Sequence, residues 1–174
     1  MIVSANVQGH SIWLVPARPE YDYLQNLIQQ LSEEGSTPSF SPHITLLGQL
    51  RQKVEMIKPK MEDFFKELDP FDMDFSHIGM FDTYFRSIVL HTPPGSVLEN
   101  MHTRAKVLFH KDTRDVFMPH LSLQYSNLDL SQKRRLMEDI DMDFPLSVRI
   151  KTAVLVETNG GPDQWREILR IPFN

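Results

Sequence analysis

The sequence contains no cysteine. Disulfide frameworks, thiolate metal sites and cysteine nucleophiles are excluded together. Long apolar runs are missing too: they stop at about six residues, against the roughly 18 that a membrane-spanning helix needs. The opening Met1–His10 has neither the basic nor the apolar region of a signal peptide, and no Asn-x-Ser/Thr acceptor occurs. There is no His-Glu-x-x-His or other close ligand spacing, so neither a dedicated metal site nor a cofactor is expected. Basic charge is in deficit: 18 Lys and Arg face 23 Asp and Glu, a formal net charge of −5. That balance argues against gripping long nucleic acid through phosphate neutralisation, while leaving room for a small anion at a local site. The basic run Lys133-Arg134-Arg135 reads as the solvated face of a helix, and Asn159-Gly160-Gly161, too isolated for a phosphate loop, reads as a turn. The expectation is a soluble, cytoplasmic monomer with no membrane partner.

What is present is ordinary globular composition, 41% hydrophobic and 24% charged. A chain of 174 residues predicts one domain spanning residues 1–174, long enough to bury a core without staples. Ser11–Pro16 reads as a strand stopped by proline. Tyr21–Glu34 repeats apolar residues at helical spacing and ends at Gly35 and Pro38. His43–Gly48 reads as a strand, Val54–Leu68 as a helix split or kinked by Pro59, and Phe71–Phe75 as a half-buried strand. The order then repeats about 75 residues later. Arg86–His91 is a strand, Val97–Phe109 an amphipathic helix, His120–Tyr125 a strand, and Asp129–Ile140 a helix capped by Asp129 or Ser131. Leu146–Glu157 and Trp165–Pro172 read as strands joined through Asn159-Gly160-Gly161-Pro162, whose Asn-Gly pair signals a hairpin. The pattern predicts an α+β fold: a bilobal, internally duplicated domain whose two antiparallel sheets line a central cleft, with helices outside.

Two segments of the two rounds match position by position: Pro42-His43-Ile44-Thr45-Leu46 and Pro119-His120-Leu121-Ser122-Leu123. His-x-Ser/Thr alone is cheap, but the full frame is expected roughly 0.004 times by chance in a chain of this composition, and it occurs twice. On a strand, residues i and i+2 share a face, so His43 projects with Thr45 and His120 with Ser122. Two imidazoles and two hydroxyls in one cleft suit a phosphate. One ring takes a proton from the attacking group and the other gives one to the leaving oxygen. The hydroxyls hold the non-bridging oxygens as charge builds. An unperturbed imidazole pKa of about 6.5 lets one ring be neutral and the other charged near neutral pH. His10, His77, His91, His102 and His110 lack this frame and read as structural or solvated.

The paired motifs resemble those of the 2H phosphoesterases, and the chain looks most like the fungal and plant cyclic phosphodiesterase branch. The likeness runs from Ser11-Ile12-Trp13-Leu14-Val15-Pro16 through Tyr84–Leu90 to Pro119–Ser126, and ends at a Gly161-Pro162 turn before Trp165. It implies a metal-independent hydrolase of ribose cyclic phosphates. Branch members open ADP-ribose 1″,2″-cyclic phosphate, a by-product of tRNA splicing, and convert nucleoside 2′,3′-cyclic phosphates to 2′-phosphates. Carried over, His43 and His120 are the acid/base pair and Thr45 and Ser122 the phosphate holders. Tyr125, beyond the second motif, reaches the cleft, or is only an edge-strand aromatic. Trp13 walls the cleft and stacks on a base or ribose, or is only a core indole. The expected partner is a small cyclic-phosphate nucleotide. RNA-end processing, 2′,5′-linkage cleavage or ligation, and non-catalytic nucleotide binding are the competing functions.

Overall fold

The computed structural model describes residues 7–112 and 116–174, so part of the segment weighed as a signal peptide lies outside the described residues. The first round consists of β1 (His10–Pro16), α1 (Glu20–Gly35), β2 (Ile44–Leu50), α2 (Val54–Phe65) and β3 (Phe71–Phe75). After it come β4 (His77–Met80), β5 (Ile88–His91), α3 (Val97–Leu108), β6 (His120–Gln124), α4 (Leu130–Glu138), β7 (Leu146–Glu157) and β8 (Arg166–Pro172). Every pairing among these strands is antiparallel, in the order β3-β7-β1-β2-β6-β5-β4, with β8 also on β7. The two predicted sheets are thus halves of one curled sheet. They meet at a single register pair, Ile44 opposite Leu121, the matching aliphatic residues of the two motifs. The strand order thus sets β2 and β6, which carry the two motifs, side by side.

The apolar patterns explain most of the elements. Leu24, Ile28 and Leu31 recur at helical spacing and are buried on α1, each contributing about 1.5–3 kcal/mol by leaving water. β1 is buried along nearly its whole length because both faces are covered. Ile12 and Leu14 enter the main core; Trp13 and Val15 face the other way. Asp129 caps α4 with a full capping box: its carboxylate accepts from Gln132 N at 2.9 Å and Gln132 Oε1 accepts from Asp129 N at 3.0 Å.

Three local expectations change. α2 runs through Pro59 without a break and stops at Phe65; Pro59 and Glu55, whose carbonyl loses its partner, both lie on the exposed flank, where water can serve. β4 was not anticipated, since His77-Ile78-Gly79-Met80 is a short edge strand interrupted by glycine. The β7–β8 hairpin forms with the predicted strand bounds to within one residue, and its link includes a short 3-10 segment, Pro162–Gln164. Lys133 is not a solvated residue. It is 1% exposed and its ammonium donates to Phe81 O at 2.7 Å, tying α4 to the segment after β4, while Arg134 and Arg135 remain exposed.

Candidate active site

His43 immediately precedes β2 and His120 opens β6, each behind a proline. In both, the ring folds back so that Nδ1 donates to the carbonyl of residue i−2: Ser41 O at 2.6 Å and Met118 O at 2.8 Å. A carbonyl can only accept, so Nδ1 carries the hydrogen and Nε2 is left with the reactive lone pair. In each motif the proline lies between that carbonyl and the histidine. Both histidines line one cavity of about 220 Å³ with Thr45, Ser122, Tyr125 and Trp13. All six residues predicted from the sequence are brought together.

The two sides of the cavity differ. Trp13 stacks on His43 with centroids 3.6 Å apart and planes within 11°. Tyr125 follows the last residue of β6 and so escapes the strand alternation; its ring stacks on Phe40 at 3.7 Å and its hydroxyl lies 3.4 Å from His43 Nε2. Burial pushes the Tyr125 phenol far above its ordinary range, so it stays protonated and donates. Ser122 donates to Phe85 O at 2.9 Å, whereas Thr45 lies half-buried at the cavity wall. On the far side, His91 stands opposite His120 in the β5–β6 register, with its ring stacked on His77 at 4.6 Å.

Burial pushes His43 down to about 4, against the opposing pull of the Ser41 carbonyl and with a smaller push from the charge of His120. His120 is also lowered, first by burial, then, beyond the opposing Met118 bond, by the positive charges of Arg86 and His91. Both rings are therefore neutral near pH 7 in the free protein, rather than one neutral and one charged. Arg86 was not anticipated as a site residue, nor His91 as a neighbour of the site. Arg86 is the one cation in the aromatic segment before β5, a visible signal, and it lines the cavity. His91 becomes a neighbour of the site only through strand register. Among the described residues no Asp or Glu lines this cavity, and Arg86 is the one Lys or Arg that does, in an acidic chain. Nor does any cluster of three or more His, Asp or Glu suited to a metal occur among them. No helix among them is long and apolar enough to cross a membrane.

With this geometry in place, the sequence model of the 2′-5′ RNA ligase superfamily matches residues 11–162, which includes both motifs. The chain belongs to that superfamily, the 2H phosphoesterases. Within it, a cyclic phosphodiesterase of Arabidopsis thaliana is 25% identical over 157 residues, covering 86% of this chain and 85% of the relative. Among solved superfamily folds, E. coli LigT complexed with 3′-AMP aligns with a TM-score of 0.63 at 12% identity, over 96% of this chain and 98% of LigT. A Thermus thermophilus protein, TT0787, aligns with a TM-score of 0.60 at 12% identity, over 94% and 97%. At such identities these structures speak for the fold.

Proposed function

We propose that this 2H phosphoesterase is a cyclic phosphodiesterase that hydrolyses small ribose cyclic phosphates by two-histidine acid/base chemistry. The observation that carries the reading is the matched pair of carbonyl-locked imidazoles, both lining one small cavity that holds Arg86 and, among the described residues, no carboxylate. Water attacks phosphorus and its proton passes to Nε2 of one imidazole. The bond from phosphorus to one ribose oxygen breaks, and that oxygen takes a proton from Nε2 of the other. Thr45 and Arg86 hold the non-bridging oxygens as charge grows; Ser122 joins by turning its hydroxyl away from Phe85 O. The bound phosphate also supplies the negative charge that lets one buried imidazole keep a proton. Trp13 fixes the plane of His43, and Tyr125 donates first to His43 Nε2 and then to the phosphate.

Nucleoside 2′,3′-cyclic phosphates, opened to 2′-phosphates, and ADP-ribose 1″,2″-cyclic phosphate, opened to the 1″-phosphate, are the proposed substrates of a monomeric cytoplasmic enzyme. The superfamily's own description favours 2′,5′-linkage chemistry as the second reading; the acidic balance and the small cavity weigh against long RNA. Incubation with 2′,3′-cyclic AMP, ADP-ribose 1″,2″-cyclic phosphate and 2′,5′-oligoadenylate in EDTA, with product identification, separates the readings. Turnover of the cyclic phosphates to monoesters is expected. Cleavage of the oligoadenylate alone would replace the proposal with the second reading, and binding without turnover of any substrate would leave a nucleotide-binding module.

A further inference from the structure

The two motif strands share one register pair, Ile44 opposite Leu121, and among the described residues no further pair joins β2 to β6. β2 also carries a bulge just past Thr45. Ile12 of β1 pairs with Leu47 and Trp13 with Thr45, so Leu46 is the extra residue, with no partner opposite it on β1. Leu46 and Leu47 are consecutive, yet both enter the main core, where a regular strand would turn one of them outward. A bulge re-aims the side chains beside it. The neighbour here is Thr45, in the wall of the catalytic cavity.

Helix α3 packs on β2, and one of its side chains spans the two motifs. His102 Nδ1 donates to Leu46 O at 2.7 Å, so the carbonyl of the bulged residue is met from the helix rather than from the sheet. The same ring lies flat on Phe117, with centroids 3.9 Å apart and planes within 1°. Phe117 immediately precedes Met118, whose carbonyl accepts from Nδ1 of His120. One imidazole therefore pins the residue after Thr45 and the segment that locks His120. Burial lowers the pKa of His102 below its ordinary value, against the pull of the Leu46 bond and with a smaller push from the charge of Lys106. The ring is thus neutral near pH 7, and its part is geometric. It does not itself line the catalytic cavity.

We propose that His102 is a positioning residue, which holds the hydroxyl of Thr45 and the imidazole of His120 at their working separation. The inference rests on the cyclic phosphodiesterase reading for what those two groups do to substrate, while the placement itself can be read from phosphate binding.

A mutant cycle tests it. His102→Phe keeps a ring on Phe117 and removes the donor to Leu46 O. It should lower kcat/KM for 2′,3′-cyclic AMP about tenfold, well within the loss of about a hundredfold that a displacement of about 1 Å can cause. In Thr45→Val, which has no hydroxyl left to misplace, the same change should cost less than about twofold. His102→Asn, which keeps a donor at the Nδ1 position, should retain more activity than His102→Phe. A side chain that only stabilised the fold would lower activity by one factor in both backgrounds. The affinity for inorganic phosphate should show the same coupling to Thr45 without turnover. If His102→Phe does not fold, Phe117→Leu runs the parallel cycle: it removes the stack and no hydrogen bond, and should lower kcat/KM a few-fold alone but not in His120→Ala. Equal factors in both backgrounds, or less activity in His102→Asn than in His102→Phe, overturns the positioning and leaves the enzyme reading intact. Coupling in phosphate affinity with no turnover of any cyclic phosphate keeps the positioning and removes the enzyme reading. A wild type that neither turns over substrate nor binds phosphate loses both.

Discussion

At the scale of single residues, the site is built from groups that are individually common and informative only in their arrangement. Replacing His43 or His120 by Ala should lower kcat by about 10²–10⁴, the usual share of a general acid or base. The double variant should be little worse, since groups that act as a unit are not additive. Steady-state kinetics on 2′,3′-cyclic AMP checks this, and near-wild-type turnover by either single variant would remove the pair. The two hydroxyls should not be equivalent. Ser122 must first give up its bond to Phe85 O, so Thr45→Val should cost more in kcat/KM than Ser122→Ala, with a shared upper bound of about 4 kcal/mol for a donor aimed at developing charge. Equal losses would mean that the Phe85 bond does not limit Ser122. The pH profile follows from the depressed imidazoles. In the free protein His43 titrates at about 4 and His120 below its ordinary 6.5, so the bell of kcat/KM should lie on the acid side of 6.5. Bound phosphate favours the imidazolium, so the kcat profile should be displaced to higher pH. Coincident profiles would show that the anion does not share in holding the proton.

At the scale of elements, the two rounds are tied together by contacts that neither round makes alone. α1 belongs to the first round yet packs on β6 of the second. The buried Gln124 of β6 donates Nε2 to Leu31 O at 3.0 Å, reaching a carbonyl near the end of α1. Gly35 permits that approach: a Cβ there would stand 2.6 Å from Gln124 Nε2. Helix propensity alone predicts that Gly35→Ala gains about 1 kcal/mol. The structure predicts the opposite sign, because displacing the amide leaves buried polar groups unpaired, at about 1–3 kcal/mol. Urea unfolding should show Gly35→Ala to be destabilised by about 1 kcal/mol, and a gain would mean that Gln124 relaxes freely. The Ser36 turn after the helix supports the same geometry, taking up the left-handed conformation at φ 51° and closing the helix end on Glu33 O.

At the scale of the whole molecule, burying neutral imidazoles beneath the curled sheet makes stability depend on pH. His43 binds its proton more weakly folded, at about 4, than unfolded, near 6.5. Between those values the unfolded chain binds more protons, so stability falls as pH drops through the window from 6.5 to 4. For His43 alone the loss is on the order of 3 kcal/mol by pH 4, and the lowered His120 acts in the same direction. Denaturant unfolding from pH 7 to 4 should show this slope, and His43→Asn should flatten it. A slope unchanged by that substitution would place the acid sensitivity elsewhere. Inorganic phosphate, which favours the charged rings, should restore part of the lost stability at pH 5 to 6.

The sequence by itself determined the α+β class, the repeated strand-helix-strand order and the two Pro-His-x-Ser/Thr frames. These rest on local properties: apolar periodicity, proline and glycine punctuation, and a motif long enough to defeat chance. It carried Trp13 and Tyr125 only through family likeness, because nothing local distinguishes a cleft-wall aromatic from a core one. Tertiary structure decided the rest. Whether two sheets or one depended on Ile44 meeting Leu121, a pairing across 77 positions that no local pattern encodes. Lys133 looked solvated until α4 was seen to turn it toward Phe81 O. His91 became a neighbour of His120 through β5–β6 register, and burial then moved both motif imidazoles below their ordinary pKa. Register, burial and the field of distant charges are properties of the folded surface, and none is written at any one position of the chain.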